Sequence, residues 1–540
     1  MIAGNNIQEL NLYIPITMKT HIILTSLVLI FACSESFSQI KFQKTYSGVS
    51  PIGLGYFVIP TVDSCYLAAG ATTSFGVGNY DALLIKLNSY GDTIWTKTFG
   101  TPGNEGFYFI QQTNDLGFIA TGFTSSIGNT DVLLVKTDSV GNVQWSKTYG
   151  GSVDMEQSYC VQQTFDNGYI IEGVTQSFGV GQDDVYLIKV DSVGNLQWSK
   201  TYGGTNYDLR NSVRQTYDGG YILAGQTLSF GAGGDLFLIK TDSVGNLLWS
   251  KTYGGPGNEY GSEIQITSDS GYVIVGYTSS FGAGSYDIYL IRTDEVGDTL
   301  WTKAYGGIGF ESMGSVQQLN DNGYIISGST DSFGNGLFDF YLIRLDSTGN
   351  PHWSKTFGAS SDENGTSARQ TLEGGFVAAG LTNNSGLLMN NLYLFTTDSF
   401  GNSACNQTNV ATIVNSTSTQ INNPPTVTTS PVTLVSTPTL SIKSGTVISS
   451  FCTTNIEEFS NSNIIDIFPN PSSGVFTINI SNFQKTTIEL TVLNVLGEII
   501  LETLILSDKH EINLGNFAKG IYFIKATDNK NHYTRKVIVQ

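Results

Sequence analysis

All six tryptophans of this 540-residue chain stand at a near-constant interval. Trp95, Trp145, Trp198, Trp249, Trp301 and Trp353 are 50, 53, 51, 52 and 52 residues apart. Each sits in one recurring phrase, typified by Asp242-Ser243-Val244-Gly245-Asn246 followed by Trp249-Ser250-Lys251-Thr252-Tyr253-Gly254-Gly255. A period near fifty means that one small unit has been copied in tandem, and that neighbouring copies cover one another's apolar faces.

The unit ending at Trp249 reads as four short strands. Residues 213–216 and 221–225 flank an Asp-Gly-Gly turn, 236–240 follow a Gly-rich loop, and Asp242 to Asn246 turn the chain into the strand that carries Trp249. Glycine stands where a turn needs positive φ, and Asp or Asn where a side chain can satisfy the turn backbone. Four antiparallel strands per copy is the pattern of a propeller blade. Hairpins of this type centre on residues 63–66, 114–118, 166–169, 218–221, 269–272, 321–324 and 373–376, which makes seven. Fourth strands also number seven, but their count begins one strand early: residues 40–48 place Phe42 in the Trp position, 53 residues before Trp95, and no Trp strand follows Asn402. The pattern predicts an all-β fold with a seven-bladed β-propeller over 39–402, closed by the N-terminal strand, a join that removes two sheet edges. An open β-solenoid is the alternative, and it has no use for a complementary start and finish.

In such blades the Asp-x-Gly and Asp-Ser-x-Gly-Asn turns lie on one side, and the Ser-Phe-Gly and Tyr-Gly-Gly loops on the other. The longer loops are the expected binding face. Two carboxylate series ride on it. Asp81, Asp131, Asp184, Asp235, Asp287 and Asp339 open the third strands, with Asn391 in the last copy; Glu105, Glu156, Asp208, Glu259, Glu311 and Glu363 follow the aromatic. The first series could supply oxygen ligands to Ca²⁺, which wants six to eight; the plainer reading is that each acid caps a loop. Lys44, Lys97, Lys147, Lys200, Lys251, Lys303 and Lys355 are expected to protect the outermost strand from edge pairing. Each Trp and the Tyr or Phe four residues later are expected to pack between blades, for about 2–3 kcal/mol apiece. The phrase resembles the Asp-x-x-Thr-Gly-x-x-x-Trp signature of quinoprotein propellers, one residue shorter. It is read as blade locking, without a quinone.

A net charge of −19 argues against nucleic acid as partner. The apolar run 22–32 reads as a secretory signal over 1–38, with Met18 as the expected start and cleavage between Ser38 and Gln39. A rival reading acylates Cys33 within Ile30-Phe31-Ala32-Cys33. Cys405 and Cys452 bracket a Ser/Thr/Asn/Pro-rich linker, 403–463, which is either extended or made of irregular strands, and a disulfide between them suits an oxidising compartment. Cys65 and Cys160 are expected to be unpaired and buried. Histidines are few, with His352 alone in the array, so no triad stands out.

Residues 464–540 alternate apolar and polar side chains between short turns, as in a small immunoglobulin-like β-sandwich. Pro469-Asn470-Pro471-Ser472-Ser473-Gly474, Leu496-Gly497-Glu498, Gly520-Ile521-Tyr522 and the final Lys536-Val537-Ile538-Val539 together resemble the type A C-terminal sorting domain of the bacterial type IX secretion system. The resemblance implies export through the outer membrane by that machinery, and it favours signal peptidase cleavage over acylation. The repeats look like propeller repeats of the same cargo class. The leading expectation is a secreted or surface-attached binding protein whose long-loop face meets a glycan or protein. The alternatives are an extracellular polysaccharide hydrolase or lyase, and a structural surface component.

Overall fold

Short alternating segments between glycine-centred turns fold as strands throughout, and the described residues of the computed structural model contain no helix. These residues are 41–46, 54–452 and 465–539, less 127, 153–154, 313, 384–390, 446–447, 471, 481–487, 495–498, 506 and 528–531. The signal region 1–38, Cys33, the Ser38–Gln39 pair and the Leu496-Gly497-Glu498 turn lie outside them. The chain forms two compact units, Met1–Cys452 and Thr453–Gln540.

In the first unit, seven antiparallel meanders follow one another, here called sheets one to seven in chain order of their first strands. Sheet four is representative: Asp208–Gln215, Tyr221–Thr227, Asp235–Thr241 and Leu247–Gly254 lie side by side in that order. Sheet seven has only three strands of its own, Glu363–Gln370, Phe376–Thr382 and Asn391–Thr397. Its fourth is Gln43–Tyr46, which pairs Gln43 with Phe395 and Tyr46 with Leu392. The Thr396 N–H donates to the Phe42 carbonyl at 2.9 Å, and Lys41 Nζ reaches Asp398 at 2.7 Å. The first strand of sheet one packs against the first two strands of sheet seven, the same relation that sheet two bears to sheet one.

The repeated phrase locks each sheet to the next. A Cβ on Gly141 would stand 2.9 Å from the Trp95 ring, and one on Gly194 2.8 Å from Trp145. The same glycines have φ of 78° and 80°, a region L side chains rarely adopt. Both demands leave glycine as the residue for this turn. Tyr149, Tyr202, Tyr253 and Tyr305 complete the lock by donating their hydroxyls to the Gly194, Gly245, Gly297 and Gly349 carbonyls at 2.6–2.7 Å. Phe42 covers Gly91 and Tyr46 donates to the Gly91 carbonyl at 2.7 Å, so the borrowed strand joins sheet seven to sheet one by the same contact.

The segment after Asn402, expected as either an extended linker or irregular strands, forms short strands at a regular spacing. It travels back past every sheet and adds a fifth strand to each. Gln407–Asn409, Ile413–Ser416, Gln420–Asn422, Val427–Thr429, Leu434–Ser436 and Ser441–Lys443 pair with the fourth strands of sheets six, five, four, three, two and one; Ile448–Cys452 then pairs with Gln43–Tyr46. Its step is seven residues per sheet: Val414, Ile421, Thr428, Val435 and Ile442 lie opposite Tyr305, Tyr253, Tyr202, Tyr149 and Phe99. Side chains hold the same step. Ser354, Thr302, Ser250, Ser199 and Ser146, each just after its Trp, donate to the carbonyls of Val410, Thr417, Pro424, Pro431 and Pro438 at 2.7–3.4 Å. This belt belongs to the first compact unit, which extends to Cys452 beyond the boundary expected at 402.

The belt also corrects the lysine expectation. The Trp strands are not edges, because the belt covers them. Their lysines lie over the aromatic rings instead, at 5.5–5.8 Å from the centroids of Trp95, Trp249, Trp301 and Trp353. Most of them reach polar groups of the following sheet's turn: Lys251 meets Asp298 at 2.6 Å and Lys303 meets Asn350 at 2.7 Å. Lys147 and Lys200 instead bond belt hydroxyls of Thr437 and Ser430. Cys160 is buried and free as expected; Cys65 is free but only half-buried, because it sits at the end of a hairpin turn.

The second unit has two antiparallel sheets. One holds Ile465–Phe468, Val475–Ile480 and Lys509–Asn513; the other holds Ile488–Asn494, Ile499–Ile505, Gly520–Thr527 and His532–Val539. Phe476, Ile478 and Ile512 of the first share one core with Leu490, Val492, Tyr522, Ile524 and Val537 of the second. The Pro-Asn-Pro motif is tied to the chain's last strand: Ile538 N–H donates to Asn470 Oδ1 at 2.9 Å, and Ser472 N–H to the Ile538 carbonyl at 2.8 Å.

Candidate functional site

The structure brings the two carboxylate series together in pairs, one member from each of two successive sheets. Gly150, Gly203, Gly254, Gly306 and Gly358 mark the pairs, because a Cβ there would strike Asp131 with Glu156, Asp184 with Asp208, Asp235 with Glu259, Asp287 with Glu311, and Asp339 with Glu363. Both acids cap loops. Asp184 accepts the Val180 and Gly181 N–H groups at 3.1 and 2.9 Å, Asp287 those of Ala283 and Gly284, and Asp339 those of Asn335 and Gly336. Asp81 likewise accepts Val77 and Gly78, and Asp235 accepts Ala232. Glu105 accepts Thr101 N–H and the Thr124 hydroxyl, and Glu259 those of Gly255 and Thr278. Burial, with the neighbouring acid added, pushes the carboxyls of Asp131, Asp184 and Asp235 up to about 6, and burial pushes Glu363 to about 7. Among the described residues no three His, Cys, Asp or Glu side chains gather as a metal-binding group.

The departures from the repeat lie elsewhere, along the first strands of the sheets. These strands line a cavity of about 500 Å³ with contributions from all seven sheets, among them Phe57, Tyr108, Tyr159, Ser212, Tyr260, Glu263, Ser315 and Thr366. Tyr108, Tyr159 and Tyr260 lie toward the strand starts, on the side of the long loops. A second cavity of about 190 Å³ lies toward the short turns, lined by Ile59, Gln111, Gln162, Arg214, Gln265 and Arg369.

A buried ion triad separates the two. Glu263 Oε1 accepts from Arg214 at 2.8 Å and from Arg369 at 2.6 Å, and Glu263 Oε2 accepts the Val316 N–H at 3.2 Å. Arg214 also donates to the Val213 carbonyl and lies 3.1 Å from Cys160 Sγ, while the Arg369 guanidinium covers the Phe57 ring at 4.7 Å. In four of the five other sheets the repeat places glutamine where these arginines stand, and sheet one has Ile59 there. Gln111, Gln162, Gln265 and Gln317 each accept a backbone N–H of the next sheet, from Gln163, Gln215, Gln318 and Gln370, at 2.6–3.2 Å. Arg214 and Arg369 give up that ladder for the central carboxylate. Burying three charges is offset only by their full mutual pairing.

A run of rings leads from the cavity across sheets five and six. Tyr260 stacks on Tyr277 at 4.5 Å and 9°; Tyr277 meets Tyr286 at 5.7 Å, Tyr286 meets Phe310 at 5.2 Å, and Phe310 meets Phe338 at 6.0 Å. All five are half-buried. The corresponding residues one sheet earlier are Leu209, Gln226, Gly234, Asn258 and Tyr286 by their offsets from the paired acids. The triad and the rings escaped the sequence reading, which followed what the copies share; setting the copies in register and noting where one differs would have found both.

Residues 466–540 match the family described as secretion system C-terminal sorting domain. The chain is 25% identical over 192 residues to the regulatory protein FlaEY of Caulobacter vibrioides, covering 29% of this chain and 20% of that protein. It is 37% identical over 78 residues to an endo-acting ulvan lyase of Formosa agariphila, covering 14% of this chain and 15% of that enzyme. The chain thus spans about a fifth or less of either relative. Among solved structures, PorZ, a surface component of the type IX secretion system of Porphyromonas gingivalis, aligns with TM-score 0.35 and 12% identity over 86% of this chain and 69% of that one. The sorting domain makes this a secreted or cell-surface protein, cargo that engages the type IX secretion machinery.

Proposed function

We propose that this exported chain is a binding protein whose first unit is a seven-bladed β-propeller, closed by the strand holding Phe42 and belted by residues 407–452, and whose later residues form an immunoglobulin-like sorting sandwich. The ring reading is supported by the pairing of Gln43–Tyr46 into sheet seven and by the contact of sheet one with sheets two and seven. The ligand, a glycan or protein, enters the cavity from the long-loop side.

One observation carries this reading: departures from the repeat concentrate at the cavity, in the Arg214–Glu263–Arg369 triad and the sheet-five rings. A position copied in every sheet serves the sheet, whereas a departure that costs a glutamine lock serves something else. Hydrolysis by paired carboxylates fits less well, because Glu263 is the only acid among the described lining residues and both arginines hold it. We take the Asp81, Asp131, Asp184, Asp235, Asp287 and Asp339 series as loop caps in preference to calcium ligands. Cys405 is disulfide-bonded, and we take Cys452 as its partner, since the register sets Cys452 opposite Gln43, whose side chain donates to the Cys405 carbonyl. The test is to incubate the full chain with arrayed glycans and extracellular proteins and to assay any polysaccharide it retains for cleavage. Retention without products is expected; release of products would overturn the binding reading in favour of a hydrolase or lyase.

A further inference from the structure

Resting on that reading of the cavity, we infer that the ligand is an uncharged polysaccharide chain, whose end enters the cavity and whose following sugars lie over Tyr277, Tyr286, Phe310 and Phe338. The repeat supplies the background against which this track stands out. One repeat earlier the same strands and loops carry Gln226, Gly234 and Asn258 in place of Tyr277, Tyr286 and Phe310; rings recur singly at these positions in other copies, as Phe123, Tyr80 and Tyr207, and three in succession stand here alone. The fold therefore has no need of aromatic rings at these positions.

The rings are held in place. Tyr286 and Phe310 face each other across a backbone bridge, and the Glu311 N–H donates to the Tyr286 carbonyl at 2.8 Å. From Tyr277 outward successive ring centres stand 5.2 to 6.0 Å apart, near the advance of a pyranose chain per sugar, and adjoining rings are inclined at 64°, 58° and 89°, so they present a stepped row of partial faces. The C–H face of a sugar ring is apolar and slightly positive, and it packs on the negative face of an aromatic ring. Half-buried rings with fixed orientation offer such faces at little cost in side-chain entropy.

Charge selects against an acidic chain. The triad keeps one positive charge in excess, but its guanidinium groups face the smaller cavity and are bonded to Glu263 and to the Val213 and Ala368 carbonyls, and the one charged side chain among the described lining residues of the larger cavity is the Glu263 carboxylate. A net charge of −19 repels polyanions at longer range. Ser212, Gln226, Ser262, Ser315 and Thr366 make the lining polar; the Ser262 and Thr366 hydroxyls donate to the Gly314 and Ala379 carbonyls and retain acceptor lone pairs that suit a polyol.

The experiment titrates the full-length chain with cellohexaose, mannohexaose and xylohexaose by calorimetry. A triple variant, Tyr277→Gln, Tyr286→Gly and Phe310→Asn, gives the track the residues of sheet four; Ser262→Trp fills the cavity and leaves the track. The expected result is saturable binding of at least one hexasaccharide, weakened at least tenfold by the triple variant and by Ser262→Trp, with thermal unfolding of the triple variant unchanged. Binding lost with Ser262→Trp but untouched by the triple variant would sink the track and leave the cavity reading standing. Absence of saturable binding of any hexasaccharide up to about 5 mM, an affinity of about −3 kcal/mol, would overturn the uncharged-polysaccharide inference. Binding indifferent to both variants would remove the cavity reading as well.

Discussion

Replacing Ser146, Ser199 and Ser250 together by alanine should loosen the belt without loosening the sheets. Their hydroxyls donate to the carbonyls of Pro438, Pro431 and Pro424 at 3.1, 3.4 and 3.3 Å, in three different sheets. Each lost hydrogen bond costs about 1 kcal/mol, and sites this far apart add, for about 3 kcal/mol in all. The assay is native-state hydrogen exchange of the amides in Gln420–Asn422, Val427–Thr429 and Leu434–Ser436. If the belt opens as one body, protection there falls by about 150-fold; if each segment opens alone, by about fivefold per segment. Amides between the second and third strands of the same sheets keep their protection in either case. Ser139, Ser192 and Ser243 are exposed on the short turns, and their replacement by alanine is the control. Unchanged belt protection, or an equal loss across whole sheets, would refute the claim that these serines act by fastening a separately opening strand.

Three further outcomes follow from the geometry. Glu263→Leu leaves two buried guanidinium groups without their carboxylate and should cost about 3–5 kcal/mol in urea unfolding, most of it recovered when Arg214→Met and Arg369→Met are added; a single variant as stable as wild type would contradict the triad. The loop-cap acids have raised folded-state values, Asp131, Asp184 and Asp235 at about 6 and Glu363 at about 7, so their contribution is complete below about pH 4 and lost as pH rises through 6 to 7. Burial works to raise the hairpin acids Asp63, Asp115 and Asp166, but hydrogen bonds from Lys86, from Lys136, and from Thr164 with Lys189 outweigh it and lower them, so they lose their contribution only as pH falls below the usual carboxylate range. Unfolding at pH 5 should therefore need more denaturant than at pH 8, and the reverse order would count against the buried pairs. Chelator should leave the melting temperature unchanged; a drop of several degrees would restore calcium to the Asp81 series.

The periodic part of this chain was open to reading because each repeated residue has a repeated task. Trp95 and its copies, the glycine of the following turn and the tyrosine four residues on make one contact between sheets, so they recur together. Even the absent seventh tryptophan was informative, since Phe42 answers for it in the pairing with Asn391–Thr397. The belt escaped because its period is seven residues in polar, proline-bearing sequence, where Thr412, Thr419, Thr426 and Thr433 look like linker composition. These threonines meet hydroxyls of Tyr341, Tyr289, Ser250 and Tyr186, partners that no local pattern discloses. The lysines were misassigned for the same reason: a strand read as an edge had a partner hidden elsewhere in the chain. Glu263, Arg214 and Arg369 were invisible because they are single events, joined across sheets four, five and seven.

Carbodiimide coupling followed by peptide mapping would probe most sharply whether the seven sheets close on themselves. Lys41 and Asp398 are separated by 357 positions in sequence yet lie 2.7 Å apart, so a zero-length amide between them is expected alongside the within-sheet Lys136–Asp115 and Lys189–Asp166 products. Recovery of the two within-sheet products without the Lys41–Asp398 link would leave the array open, and the shared cavity with it.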